Sequence, residues 1–144
     1  MLHFDTSFLA PLILEEATSA KIEAFFAKLP PGELAVRHWT RVEFASLIAR
    51  EVRMGGLAEP EALLAIGQFD ELVAESFQVL VPAVADYELA KVSIQNFATK
   101  LRAGDALHLA IASNQGAERF YTLDEGLLNA AKLLNVPASR GIKI

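Results

Sequence analysis

Short runs of apolar, β-branched and aromatic residues alternate along the chain with longer stretches whose apolar residues recur at helical spacing, and this alternation constrains the fold more than any other feature. The runs Leu2–Phe4, Leu34–Val36, Phe77–Val81 and Arg119–Thr122 are each followed by a helical pattern, and a weaker run lies near Ile142. Helical spacing predicts one helix over Thr18–Leu29, with Ile22, Phe25, Phe26 and Leu29 on its apolar face, and another over Val42–Arg53, with Phe44, Leu47, Ile48 and Val52. Further helices are predicted over Glu59–Glu75, Ala83–Thr99, Asp105–Asn114 and Glu125–Leu134, each opening near a Pro, Ser, Thr or Asp. Strand followed by helix followed by strand is the rhythm of βαβ units. It implies an α/β fold with a mainly parallel central sheet of about four to five strands and helices on both faces. A length of 144 residues with 53% hydrophobic content suits a single domain over residues 1–144, with a core that needs no disulfide or structural zinc.

Cysteine is absent, so zinc-thiolate sites, disulfide scaffolds and thiol nucleophiles are excluded, and a bound metal must take oxygen or imidazole ligands. The N-terminus, MLHFDTSFLAPLILEEA, has no basic leader and meets Asp5 and Glu15 before any apolar stretch long enough for a signal peptide or membrane span. A cytoplasmic protein with no membrane association is the expectation. The net charge of −5 argues mildly against a general nucleic-acid binder, whose phosphate affinity comes from clustered Lys and Arg. Cations nevertheless cluster at Arg37, His38, Arg41, Arg50 and Arg53, and again at Lys91, Lys100 and Arg102, which leaves open both an uneven surface and ordinary solvated helix faces.

In open α/β sheets, functional groups gather where strand ends hand over to helix starts. Four acids occupy such junctions: Asp5 follows the first run, Glu43 lies in the first turn of the helix after LAVRHW, Asp105 opens GDALHLAIA, and Asp124 follows RFYT. Each has a structural explanation beside the functional one. Asp5, Asp105 and Asp124 can serve as N-caps worth about 1 kcal/mol each, and Glu43 forms a T-x-x-E capping box with Thr40. The other acids, among them Glu15, Glu23, Glu51, Glu59, Glu71 and Glu75, fall on helix bodies, where solvent exposure explains them. If the four junction acids converge, their mutual repulsion calls for a hard cation such as Mg²⁺ or Mn²⁺. Such an ion can activate water and stabilise the leaving oxygen of a phosphodiester.

The segments FDTSFL, RVEFA, LRAGDALHLAIA and YTLDEGLL, in this order and across nearly the whole chain, resemble the PIN domain, and the compact length is similar to its VapC-type toxin branch. The resemblance implies a metal-dependent endoribonuclease, the toxin of a type II toxin–antitoxin pair. In it Asp5, Glu43, Asp105 and Asp124 hold one or two Mg²⁺ or Mn²⁺ ions, Asp5 and Asp105 directly and Glu43 and Asp124 partly through water. It implies that Thr6, Ser7 and Thr122 orient carboxylates or waters. Arg102 and His108 match its R-x-x-D-A-L-H pattern, where a cation screens the acids or meets phosphate; a histidine among Leu107, Leu109 and Ile111 also suits plain packing. The implied product ends are 5′-phosphate and 3′-hydroxyl, and the implied partners are RNA, a second copy in a homodimer, and a VapB-type antitoxin. The antitoxin's C-terminal segment would lie in a groove involving Phe25, Phe26 and Phe44, residues for which core packing is the alternative.

Two other doubly wound chemistries fit less well. A haloacid-dehalogenase phosphatase needs a second acid where Ser7 stands, and a response-regulator receiver needs an acidic pair by the first strand and a late Lys. A PIN-like module that binds RNA or protein without cutting is the main alternative.

Overall fold

The computed structural model describes all residues from Met1 to Ile144. Strand β1 (Leu2–Phe4) leads into a short helix α1 (Thr6–Leu9) and a 3-10 turn over Ala10–Leu12, followed by helix α2 (Ser19–Phe26). Strand β2 (Leu34–Arg37) runs directly into α3 (His38–Arg53), which forms a hairpin with α4 (Glu59–Ser76). Then come β3 (Gln78–Leu80), α5 (Val84–Ile94), a 3-10 turn over Phe97–Thr99, α6 (Ala103–Asn114), β4 (Arg119–Tyr121), α7 (Glu125–Leu133) and β5 (Ala138–Ser139). The five strands form one all-parallel sheet in the order β3-β2-β1-β4-β5. This is the α/β class that the sequence predicts.

Alternation along the strands divides the core between the two faces of the sheet. Leu2, Phe4, Leu34 and Val36 enter the larger cluster with Phe8, Ile22, Phe44, Ile48, Phe69 and Val73, contributed by α1 to α4. Phe120 belongs to a second cluster with Leu109, Leu127, Ala130 and Ala131, from α6 and α7. Register sets His3 against Ala35 on one side and Phe120 on the other, so these three share the α6 face. The reversal of strand order lies beside β1, and its C-terminal end therefore opens between the ends of β2 and β4, the usual ligand position in an open α/β sheet.

Several boundaries differ from expectation for local reasons. The third helix begins at His38 rather than Val42, because Arg37 is extended and the Thr40 hydroxyl lies 3.4 Å from its N–H, capping a first turn that carries no apolar periodicity. The predicted helix over Ala83–Thr99 ends at Ile94, and the chain turns through Phe97–Thr99 into Lys100, which takes a left-handed conformation with φ 55°. The helical pattern expected after the first strand is a single turn over Thr6–Leu9 capped by Asp5, and the last strand lies at Ala138–Ser139 rather than near Ile142. No helix is long and apolar enough to cross a membrane.

Candidate active site

Asp5 is the first residue beyond β1, extended at φ −99° and ψ 176°, and it caps α1. Its Oδ1 accepts hydrogen bonds from the Ser7 hydroxyl at 2.8 Å and from the Phe8 N–H at 3.1 Å, and its Oδ2 accepts from the Thr122 hydroxyl at 2.6 Å. Thr122 in turn accepts from the Asp124 N–H at 3.0 Å, and Ser7 accepts from the Leu123 N–H at 2.9 Å. The ends of β1 and β4 are thus stitched together by hydroxyls that fix the Asp5 carboxyl in one rotamer. Burial raises the Asp5 pKa, and the hydrogen bonds of Thr122, Ser7 and Phe8 and the nearby His108 oppose that rise only in part. Thr122 is itself fully buried. Thr122→Val keeps its shape but leaves Asp5 and the Asp124 N–H each short of a partner, so a loss of about 1–3 kcal/mol in denaturant unfolding is expected.

Glu43 sits one turn into α3, and its Oε1 accepts from the Thr6 hydroxyl at 2.9 Å and pairs with Nε2 of the buried His108 on α6. Burial alone would raise the Glu43 pKa; His108, Thr6 and Arg37 together outweigh it and hold the carboxyl below its ordinary value. Asp105, half-buried on α6, behaves oppositely: burial and the neighbouring Asp124 and Glu43 raise its pKa against the influence of His108 and Arg102. Asp124 caps α7 by accepting from the Leu127 N–H at 3.0 Å. Asp105 and Asp124 face one cavity of about 260 Å³, whose rim carries Lys100 and Arg102.

The four junction acids thus lie along one connected region, Asp124 to Thr122 to Asp5 on one side and Thr6 to Glu43 to His108 on the other, with Asp105 less than a turn before His108. The structural explanations divide between them. Asp5 and Asp124 are indeed helix caps. Glu43 and Asp105 are not: the N-cap position of α3 is Arg37 and that of α6 is Arg102, and neither carboxyl occupies it. No three acidic or imidazole side chains stand grouped in positions that hold one ion together. Of the remaining residues, Arg102 is exposed, and Glu125 turns away from the cluster to pair with Arg140.

Arg37 departs most from expectation. Sequence reasoning placed it in a possible surface cluster of cations, yet it has no exposed area. It is the last residue of β2, and alternation turns it, like Ala35, to the α6 face beneath the acids. The signal was present in the period-two reading of LAVR, which sets Leu34 and Val36 opposite Ala35 and Arg37. The other cations of that stretch are not buried: Arg41 pairs with Asp70 at 3.5 Å, and Arg50 and Arg53 line a cavity of about 380 Å³ together with Glu43.

The family model for the PIN domain matches residues 3–133. The chain belongs to the PIN-domain family. Solved structures that share the fold include a VapC toxin of Mycobacterium tuberculosis that cleaves the sarcin-ricin loop, at 18% identity over 90% of this chain and 95% of that one, with a TM-score of 0.67. FitAcB from Neisseria gonorrhoeae matches at 17% identity over 98% of both chains with a TM-score of 0.71. VapBC-1 of nontypeable Haemophilus influenzae matches at 16% identity over 99% of this chain and 100% of that one, with a TM-score of 0.70. No curated protein matches the sequence. In this PIN domain the matched segment contains all four junction acids together with Thr6, Ser7, Arg102, His108 and Thr122.

Proposed function

We propose that the chain is a metal-dependent endoribonuclease, the toxin of a type II toxin–antitoxin pair, with residues 1–144 working as one cytoplasmic domain. One observation carries the reading: the chain brings its junction acids to the end of β1 and leaves two of them, Asp5 and Asp105, with raised pKa values. Acids gathered at such a cost in repulsion and desolvation are suited to a cation, and a donor set of oxygens without any thiolate suits Mg²⁺ or Mn²⁺. Membership in the PIN family and the fold shared with VapC and Fit proteins support the toxin assignment.

In this reading Asp5 and Asp105 are the direct ligands, and Glu43 and Asp124 complete the set directly or through water. Asp124 is exposed and Asp105 half-buried, so both side chains are accessible to an ion from solvent. When bound, the ion would polarise the scissile phosphoryl group and acidify a water. The chain's own residues do the rest. Ser7 and Thr122 hold Asp5 in place, Thr6 and His108 hold Glu43, and Arg102 at the cavity rim meets phosphate. A groove from Glu43 along α3 past Ser46 to Arg50 and Arg53 offers the RNA backbone a path out of the site.

For the partners, an apolar cavity of about 540 Å³ lined by Trp39, Tyr87, Ile94 and Leu107 gives a second copy of the chain a surface to bury. A cavity of about 410 Å³ that includes Leu12, Phe26, Leu29, Leu72 and Phe77 suits an apolar antitoxin segment. Phe44 belongs to the core, stacked on Phe69 with ring centroids 4.1 Å apart, and takes no part in that groove. Phe25 is packed against Phe8 and Tyr121.

The test is incubation of antitoxin-free protein with labelled total RNA in Mg²⁺, in Mn²⁺ and in EDTA. Fragments that require the metal are expected, and their ends identify the target. A folded protein that cuts no RNA in either metal would move the reading to a binding module. The α3 path has its own test. Arg50→Ala and Arg53→Ala are each expected to weaken binding to a single-stranded oligonucleotide and to flatten the slope of log affinity against log salt by about 0.7.

A further inference from the structure

An arginine shut away from solvent is normally matched by a carboxylate. Arg37 is not. Its Nη2 donates to His3 Nδ1 at 3.0 Å and to the His108 carbonyl at 3.0 Å, and its Nη1 lies 3.4 Å from the Phe4 carbonyl. The guanidinium carbon stands 5.0 Å from the centroid of the Phe120 ring, and Nε has no partner. Every one of these partners is neutral, including His3, whose pKa falls to about 3 through burial and the proximity of Arg37 itself. No ion pair includes Arg37, so a whole positive charge remains within the fold.

The location of that charge gives it a role. Phe4 directly precedes Asp5, and the His108 whose carbonyl Arg37 holds also grips Glu43 with its ring. Asp105 lies less than one turn earlier on the same helix. One guanidinium therefore ties the strand that delivers Asp5 to the helix that delivers Asp105. The opposing charges that reach it come from Asp5, Glu43 and Asp86; of these, Asp86 is engaged elsewhere, accepting from the Ala83 N–H at 2.7 Å and from the Asn114 side chain at 2.8 Å. Asp5 and Glu43 thus share a resident cation that no direct contact neutralises.

We propose that Arg37 is the built-in counter-charge of the site: a positioning residue that keeps the acids together in the absence of metal and, by repulsion, weakens the site's hold on a divalent cation. This rests on the metal-dependent reading of the acids. Electrostatics and scaffolding then predict opposite results when the charge is removed. A purely structural arginine, once lost, loosens the site and weakens metal binding. A counter-charge, once lost, leaves the carboxylates less neutralised and strengthens it, because like charges in a medium of low permittivity interact strongly.

The experiment compares the wild type with Arg37→Gln, neutral but still able to donate, and Arg37→Lys, which keeps the charge. Mn²⁺ binding is followed by calorimetry and by the rise of melting temperature with added Mn²⁺. Arg37→Gln is expected to bind Mn²⁺ roughly tenfold more tightly than the wild type, with the Mn²⁺ requirement for RNA cleavage falling in parallel. Arg37→Lys should stay near the wild type in affinity. Equal or weaker binding by Arg37→Gln overturns the proposal while leaving the nuclease reading in place. Absence of Mn²⁺ binding by the wild type overturns both. Should Arg37→Gln be unfolded without metal, refolding by Mn²⁺ at concentrations below the wild-type dissociation constant supports the proposal, and failure to refold overturns it.

Discussion

Asp5→Asn is expected to lower RNA cleavage by about 10²–10³-fold or more with the fold intact. The two effects separate because of what surrounds the carboxyl. Asparagine keeps the Oδ1 that accepts from the Phe8 N–H and caps α1, so the local helix start survives. The hydroxyls of Ser7 and Thr122 can rotate to meet an amide in place of the second oxygen. What disappears is the negative charge that holds a cation in the proposed metal-dependent reading. The sign of the stability change follows from the raised pKa of Asp5, whose ionised form is disfavoured by burial. A carboxyl whose folded pKa lies above its unfolded value contributes stability below the unfolded pKa and loses it as pH rises through the folded one. Above the folded pKa the metal-free wild type carries the ionised, unfavourable form, and there Asp5→Asn should melt at the same temperature or higher. Asp105, also raised, adds to this trend; Glu43, held low, acts in the opposite sense, and its contribution is lost as pH falls. Thermal melts in EDTA across a pH series, beside cleavage assays in Mn²⁺, check both halves. A variant that cuts RNA as well as the wild type would remove Asp5 from the mechanism.

The largest expected loss of stability is at Phe4, one residue earlier. Phe4 is fully buried and packs against Phe8, Phe26, Phe77 and Tyr121, with ring centroids 4.9–5.8 Å away. It joins β1, α1, α2 and the segment before β3 at one point, so neighbouring rings cannot close over its removal without moving the strand. Phe4→Ala is expected to cost about 3–5 kcal/mol, a large share of the stability of a domain this size. Because Asp5 follows directly, the site should loosen with the core. Denaturant unfolding measures the first effect. Weakened Mn²⁺ binding by whatever fraction stays folded measures the second, in contrast to the tightening expected from Arg37→Gln. A loss below about 1 kcal/mol would show that the aromatic cluster repacks around the gap.

Much of this protein is written in local pattern. Period-two runs and helical spacing identify the first four strands and the bodies of the main helices, because an amphipathic segment must bury its apolar face whatever its partner. The strand-to-helix junctions likewise single out Asp5 and Asp124 without coordinates, since parallel α/β topology directs those junctions toward one edge of the sheet, whereas Asp105 opens a helix that follows a 3-10 turn rather than a strand and Glu43 lies more than one turn inside α3. The ordered segments around them identify the family, which the match over residues 3–133 establishes. Local pattern could not tell a cap from a site acid. Asp5 and Asp124 do cap helices, whereas Glu43 and Asp105 do not, and the difference depends on where α3 and α6 actually begin. Nor could it separate Arg37 from Arg41, Arg50 and Arg53, since the sequence gives all of them the same charge. Whether a guanidinium lies in water or within the fold near Asp5 and Glu43 depends on which residues the register of β1, β2 and β4 and the docking of α6 place around it. Those are long-range contacts, made between segments 117 residues apart in the pairing of His3 with Phe120 and its neighbours. Secondary structure follows from the burial demands of each segment taken alone; the environment of a charge is set by the whole fold, and only the tertiary structure decides it.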